Sequence, residues 1–242
     1  MNDIQTTFNE RKCEINDFIE LLKFLELKEN STDEDGVSDF SKFFHLGEKR
    51  VNVSFQRMIN IMKSNLSLMI YNIIEFTVAN LIDNIYEEIR IHNLSYLDVN
   101  DSIKKLWRKT ILKATNDPNA NMSTFMKKNE EIIDKIIHNS VIDLQSRSTL
   151  PAGNLDGPKI KETLERHGIN MHCSNYRPII LENIKTQRND LAHGSVSFVD
   201  ALRDSTISNI ENDASVTIAF LEELMMLVSN YIVNQEYRVS AS

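Results

Sequence analysis

The chain has 242 residues, 41% of them apolar and 26% charged, with a formal net charge of −8 at pH 7. That length suits one sizeable helical domain or two small ones. The acid excess argues against an extended basic face for non-specific nucleic-acid binding, and only six glycines and four prolines argue against the many tight turns of an all-β fold.

Residues 4–28 place Ile4, Phe8, Ile15, Phe18, Ile19, Leu22 and Leu25 at helical spacing with one gap. STDEDGVSD (31–39) then reads as an acidic linker. From about Val51 to His92 there is no Gly or Pro, and apolar residues recur every three or four positions. This predicts one very long helix, or two nearly collinear ones. Asn72, Glu75, Asn80, Asp83 and Asn84 interrupt its most apolar part, which argues against a membrane span. Asp101 or Ser102 is expected to cap a helix running through Trp107 to Ala114. NDPNANMS (116–123) should break it, and residues 124–145 read as helical again.

The cluster Pro151, Gly153, Gly157 and Pro158 predicts a short irregular insert near 146–157. Pro158 suits the first turn of a short helix, and Gly168 the position just past its end. A further helix should start near Pro178 and stop at Gly194, and the last should run from about Ile207 to Ile232. The expected fold class is all-α, an up-and-down helical bundle with an extra N-terminal helix. Its expected division is 1–48 for that helix and acidic linker, and 49–242 for the helical domain.

Two local charge features stand out. KKLWRKTILK (104–113) holds Lys104, Lys105, Arg108, Lys109 and Lys113 with no acid, and is either a local basic surface or a solvated helix face. RNDLAHG (188–194) sets Arg188 five residues before His193, next to a glycine that reads as a helix stop. The bare spacing says little. With eleven arginines and six histidines, an arginine followed by a histidine after four to six intervening residues is expected about once by chance, and Arg166 to His172 is a second match. On an ideal helix, positions i and i+5 lie about 140° apart and about 7.5 Å along the axis, so the two do not share a face. A histidine at a helix end is nevertheless in a setting that favours a cation, and histidine is the usual proton-transfer group near neutral pH. Arg188 offers a fork suited to phosphate. A surface arginine beside a capping histidine is the plain alternative.

RNDLAHG resembles the Arg-x4–6-His motif of the HEPN superfamily (higher eukaryotes and prokaryotes nucleotide-binding domains). GNLDGPKIKETLERHGIN (153–170) and YNIIEFTVANLIDNIYEEI (71–89) are similar to segments upstream of that motif in stand-alone prokaryotic HEPN families of the MAE type. The three occur in the family's order, and the resemblance covers roughly residues 55–235. It implies a HEPN-type bundle acting as a metal-independent endoribonuclease of a toxin–antitoxin or antiphage defence system, on RNA (tRNA or mRNA). It also implies a homodimer, with an antitoxin or defence-system protein as a further partner. Under this resemblance His193 is the acid–base residue, Arg188 stabilises the charged phosphorane, and Asn189 orients phosphate or histidine. Asp190, Lys185, Tyr71 and Glu75 would line the RNA site, although a helix–helix polar contact also explains the last two. No cofactor or metal is expected, because His167, His172 and Cys173 lack a fourth ligand at a usual spacing. A cytoplasmic setting fits the absence of an apolar run in MNDIQTTFNERK and the two cysteines. The rival readings are a non-catalytic HEPN module that binds RNA, nucleotide or protein, and an antitoxin-like structural protein.

Overall fold

The computed structural model describes residues 2–31, 45–46, 49–50, 54–113, 121–151 and 153–239. Among them are eight helices: α1 (Asn2–Asn30), α2 (Phe55–Ile91), α3 (Asp101–Leu112), α4 (Met122–Ile137), α5 (Ser146–Thr149), α6 (Gly157–Arg166), α7 (Pro178–Ala192) and α8 (Ile207–Val233). The extended pieces are β1 (His45–Leu46) and β2 (Lys49–Arg50), paired antiparallel as His45↔Arg50 and Leu46↔Lys49. The fold is all-α, as the periodicity required. The acidic linker 31–39 lies outside the described residues apart from Ser31, and the expected break 116–123 apart from Asn121, which caps α4, and Met122 and Ser123, which already belong to it.

The chain divides into two compact units. The first comprises residues 1–4, 75–174 and 220–242, and the second residues 5–74 and 175–219. α2 and α8 each supply residues to both. Both helices are long and apolar enough to cross a bilayer by length and composition alone. Their apolar positions are mostly buried, however, and the mid-helix positions left exposed are polar, such as Asn65, Asn72 and Glu87 on α2 and Asn212 and Ser215 on α8. Met226 is the exception. They are therefore core helices of a folded unit.

Helix starts follow side-chain chemistry. Asn100, not Asp101 or Ser102, caps α3, because its Oδ1 accepts the Ile103 N–H at 2.9 Å while its Nδ2 donates to the Glu236 carbonyl at 2.7 Å. One asparagine thus satisfies an orphan donor and ties down the segment after α8. Asn121 and Asp156 cap α4 and α6 in the same way.

Helix ends share one device. After α2, α4, α6, α7 and α8 a residue takes positive φ: Asn93 (51°), Asn139 (48°), Gly168 (84°), Gly194 (69°) and Gln235 (53°). The next N–H then reaches five residues back, as in Leu94 to Ile89 (3.0 Å) and Ser140 to Lys135 (2.9 Å). These are Schellman closures, which satisfy carbonyls the helix leaves orphaned. The closure at Asn139 is why α4 stops at Ile137 rather than near 145; Val141 instead forms a bridge with Ser95.

The expected irregular insert is anchored in the first unit by one carboxylate. Asp83 of α2 accepts both the backbone N–H of Ser146 (2.8 Å) and its hydroxyl (2.6 Å). His167, just past α6, is buried in the same unit. Its Nδ1–H donates to the Thr163 carbonyl (2.6 Å), and Nε2 lies 2.6 Å from the Tyr86 hydroxyl. It is a core histidine with both nitrogens engaged, not a ligand waiting for a metal.

Burial pushes the His167 imidazole down from 6.5 to about 4, with the nearby Arg166 charge adding to the effect and the Thr163 bond opposing it. Its folded pKa lies below its unfolded one, so between these values the unfolded chain binds the extra proton. Stability should be full above about pH 6.5 and fall until about pH 4, by about 3 kcal/mol across that window. Urea unfolding measured from pH 7 to 4 should show this slope in the native chain and lose most of it in His167→Gln. An equally steep loss in the variant would contradict the assignment.

Candidate active site on helix α7

Helix α7 begins with Pro178 in its first turn, where a missing N–H costs nothing. Leu181, Ile184 and Leu191 are its buried residues. Lys185, Arg188, Asn189 and Asp190 are half-buried, at the edge between that face and solvent. The helix ends where the glycine indicated. His193 is the cap residue (φ −87°, ψ −4°), and its N–H donates to the Asn189 carbonyl at 2.9 Å. Gly194 donates to the Leu191 carbonyl (3.2 Å) and Ser195 to that of Asp190 (2.9 Å). Asp190 therefore contributes through its backbone to the closure that sets where His193 stands.

The arginine is held and the histidine is not. The Arg188 guanidinium lies 5.0 Å above the Tyr71 ring, and its Nη1 donates to Asn189 Oδ1 at 3.0 Å. Tyr71 is fully buried, so the ring is a fixed platform that orients the fork. The His193 imidazole is exposed and makes no hydrogen bond or ion pair among the described residues. Tyr71, Arg188 and Asn189 are thus brought together, with Lys185 one turn earlier on α7. Glu75, one turn beyond Tyr71 on α2, is half-buried and falls in the first unit. Of the second Arg–His match, Arg166 ends α6 and His172 lies exposed in the loop beyond.

Sequence reasoning missed a polar face on α2. Asn60, Lys63, Ser64, Ser67 and Tyr71 recur at three- and four-residue steps, and all five are buried. Ser67 Oγ donates to Gln187 Oε1 on α7 at 2.8 Å. Ser64 Oγ donates to the Phe198 carbonyl at 2.8 Å. Lys63 Nζ donates to the Ser205 carbonyl at 2.7 Å and to that of Arg203 at 3.4 Å. Burial lowers the Lys63 pKa, against the pull of Glu26 and Asp204. One face of one helix therefore clamps both α7 and the loop that follows His193. Polar residues at helical spacing in an apolar run were the signal that could have found it.

No group of three or more His, Cys, Asp or Glu is placed to hold a metal among the described residues. Both cysteines are free, Cys13 exposed and Cys173 half-buried, and burial pushes the Cys173 thiol up to about 11.

An all-α chain with an Arg–Asn pair on a helix that ends in histidine and glycine defines a class, and comparison with known families agrees. A family model described as "HEPN_MAE_28990:/-like HEPN" matches residues 1–237. The chain belongs to this HEPN family. No curated protein and no solved structure matched it.

The helix stop gives a direct test. A Cβ added at Gly194 would meet nothing within 4 Å, so Gly194→Ala should cost only the backbone strain of a left-handed residue, about 1 kcal/mol. Gly168→Ala should cost more, because its Cβ would lie 3.2 Å from Ser102 Oγ. Urea denaturation of the two variants checks the order; equal costs would show that the close approach at Gly168 is relieved freely.

Proposed function

We propose that this protein is a metal-independent endoribonuclease of a toxin–antitoxin or antiphage defence system. The observation that carries the reading is a guanidinium fork fixed over buried Tyr71 and tied to Asn189, five residues before an exposed histidine at a helix stop. Family membership supports it.

In this reading a histidine takes the proton from a ribose 2′-hydroxyl, whose oxygen attacks the adjacent phosphorus. Arg188 donates to the phosphorane oxygens as negative charge gathers there. The 5′-oxygen leaves with a proton from a second acid, giving a 2′,3′-cyclic phosphate and a free 5′-hydroxyl. Asn189 keeps the Arg188 fork in register. α7 stays helical to Ala192, so Arg188 and His193 of one chain remain about 140° apart around its axis. This favours a homodimer in which two copies of the motif share a cleft, each histidine serving as acid or base. The substrate is tRNA or mRNA, with an antitoxin or defence-system protein as further partner and a reducing cytoplasm as the setting.

The unsupported imidazole of His193 favours a second reading, a non-catalytic HEPN module in which the Arg188 fork binds RNA or nucleotide phosphate. One assay separates the two: purified protein with total RNA and with tRNA, with and without EDTA. For the nuclease, His193→Ala should lower the rate about 10²–10⁴-fold. Arg188→Ala should lower it about 10²–10³-fold. Both variants should keep the fold, since neither side chain fills a core. EDTA should change little, and DNA should stay uncut because it lacks the 2′-hydroxyl. Folded alanine variants that cut RNA at the native rate would overturn the reading. Activity lost with EDTA would point to a metal nuclease, and binding without cleavage to the second reading.

A further inference from the structure

The motif helix leaves unexplained the densest positive charge in the chain. KKLWRKTILK carries five cations, and the structure divides them between faces of α3. Lys104 and Arg108 stand over the Tyr96 ring, 5.6 and 6.0 Å from its centroid, beside Trp107. Lys105 and Lys109, one turn apart, line a groove in the first unit instead, with Lys113 a turn further on.

Two hollows of about 350 Å³ each make up this groove, and they share Lys109, Glu162 and Arg166. α3 forms one wall, α6 the other, and residues 148–151 close one end. Five cations (Lys105, Lys109, Lys113, Lys159 and Arg166) face two carboxylates, Glu162 and Glu165. None of the five makes an ion pair among the described residues, whereas Lys23, Arg90, Lys128, Lys135 and Lys161 all do. Glu165 is itself taken by Lys161 at 3.8 Å. In a chain with eight more acids than bases, pairing each cation would be easy. Like charges left unpaired in one groove repel, and an anionic occupant relieves that repulsion.

Shape and chemistry narrow the occupant. Buried Thr149 and Thr163 line the inner part of the groove and are held from below, Thr149 by the Tyr86 hydroxyl (3.0 Å) and the Thr163 carbonyl by His167 (2.6 Å). Among the described residues no aromatic side chain lines either hollow, so they offer no platform for stacking a base. Two hollows joined through shared residues suit an extended polyanion better than a point charge. Glu162 at their junction repels a compact polyphosphate but can accept a hydrogen bond from a ribose 2′-hydroxyl between phosphates.

We propose that the α3–α6 groove binds single-stranded RNA along its sugar–phosphate backbone, independently of base sequence. It takes RNA as the polymer from the function proposed above, but is a separate site from the arginine–histidine motif.

The test uses the full-length His193→Ala protein, so that RNA stays intact, and a fluorescein-labelled oligouridylate of about 20 nucleotides followed by anisotropy over a range of salt. Lys105→Gln/Lys109→Gln/Lys159→Gln should weaken binding at least tenfold. It should also flatten the slope of log K against log salt by about 2, three phosphates at about 0.7 each. Single Lys109→Gln should flatten it by about 0.7, which keeps the test open if the triple variant unfolds. Oligoadenylate should behave like oligouridylate, and tripolyphosphate should compete far less well than an unlabelled strand at equal phosphate. No binding by the parent protein, unchanged binding in both glutamine variants, or equal competition by tripolyphosphate would each overturn the proposal. Cleavage is read separately with His193 restored. Groove-dependent binding without cleavage defeats only the catalytic reading, and native-rate, native-KM cleavage by the triple variant defeats only the groove.

Discussion

The second unit depends on one constraint: a buried polar face on an otherwise apolar helix must find partners. A hydroxyl or ammonium taken out of water without a hydrogen bond costs about 1–3 kcal/mol or more. Lys63, Ser64 and Ser67 meet that demand only through carbonyls and an amide more than a hundred residues away in the chain. Sliding α2 by one residue would leave all three unsatisfied and move Tyr71 from beneath Arg188. The polar face therefore specifies register in a helix whose apolar packing alone would tolerate neighbouring alignments. It also explains how the loop after His193 holds its course. The loop's carbonyls at Phe198, Arg203 and Ser205 are gripped from α2, and its own turn is closed by the Ser197–Asp200 contact at 2.6 Å.

That grip bears on chemistry. A group that must meet a phosphate in one orientation gains from being held before the substrate arrives. Arg188 has this preparation, with a ring below and Asn189 beside it. His193 has only its backbone fixed, through the closure at Gly194. The two halves of the motif are thus built differently: a guanidinium held by a ring and an amide, and an imidazole held only through its backbone. Within one chain the helix itself keeps them about 140° apart around its axis, which is the geometric ground for the two-copy site proposed above.

Much of this was legible from residue types, for identifiable reasons. Glycine announces a left-handed closure, so the ends of α6 and α7 could be placed to the residue. Asparagine and glutamine make the same turn without announcing it, which is why the periodicity of 124–145 predicts a helix that Asn139 in fact ends at Ile137. The residues alone place the cap of α3 at Asp101 or Ser102, one or two residues late, for a similar reason. Three polar residues, Asn100, Asp101 and Ser102, compete for that place, and the choice was made by Glu236, which only the folded chain brings near. Arg188, Asn189 and His193 stood out because their spacing is local. Lys63, Ser64, Ser67 and Gln187 did not, because their meaning lies in contacts of 120 to 142 residues' separation.

Net charge is the coarsest of the sequence signals, and here it misleads if read alone. A net charge of −8 repels a polyanion at long range, but screening confines that repulsion to about 10 Å at moderate salt. Within that distance the arrangement of charge matters more than its sum. The acids and bases of this chain are not mixed evenly: among the described residues Lys23, Lys128, Lys135 and Lys161 are paired across one helical turn, while the five cations of the α3–α6 groove make no ion pair and face only Glu162 and Glu165. Pairing cancels charge at those lysines, while the groove keeps an excess of cations over carboxylates. Under the groove proposal, an acidic protein organised in this way meets RNA at one surface and avoids the indiscriminate adhesion that a basic one would show.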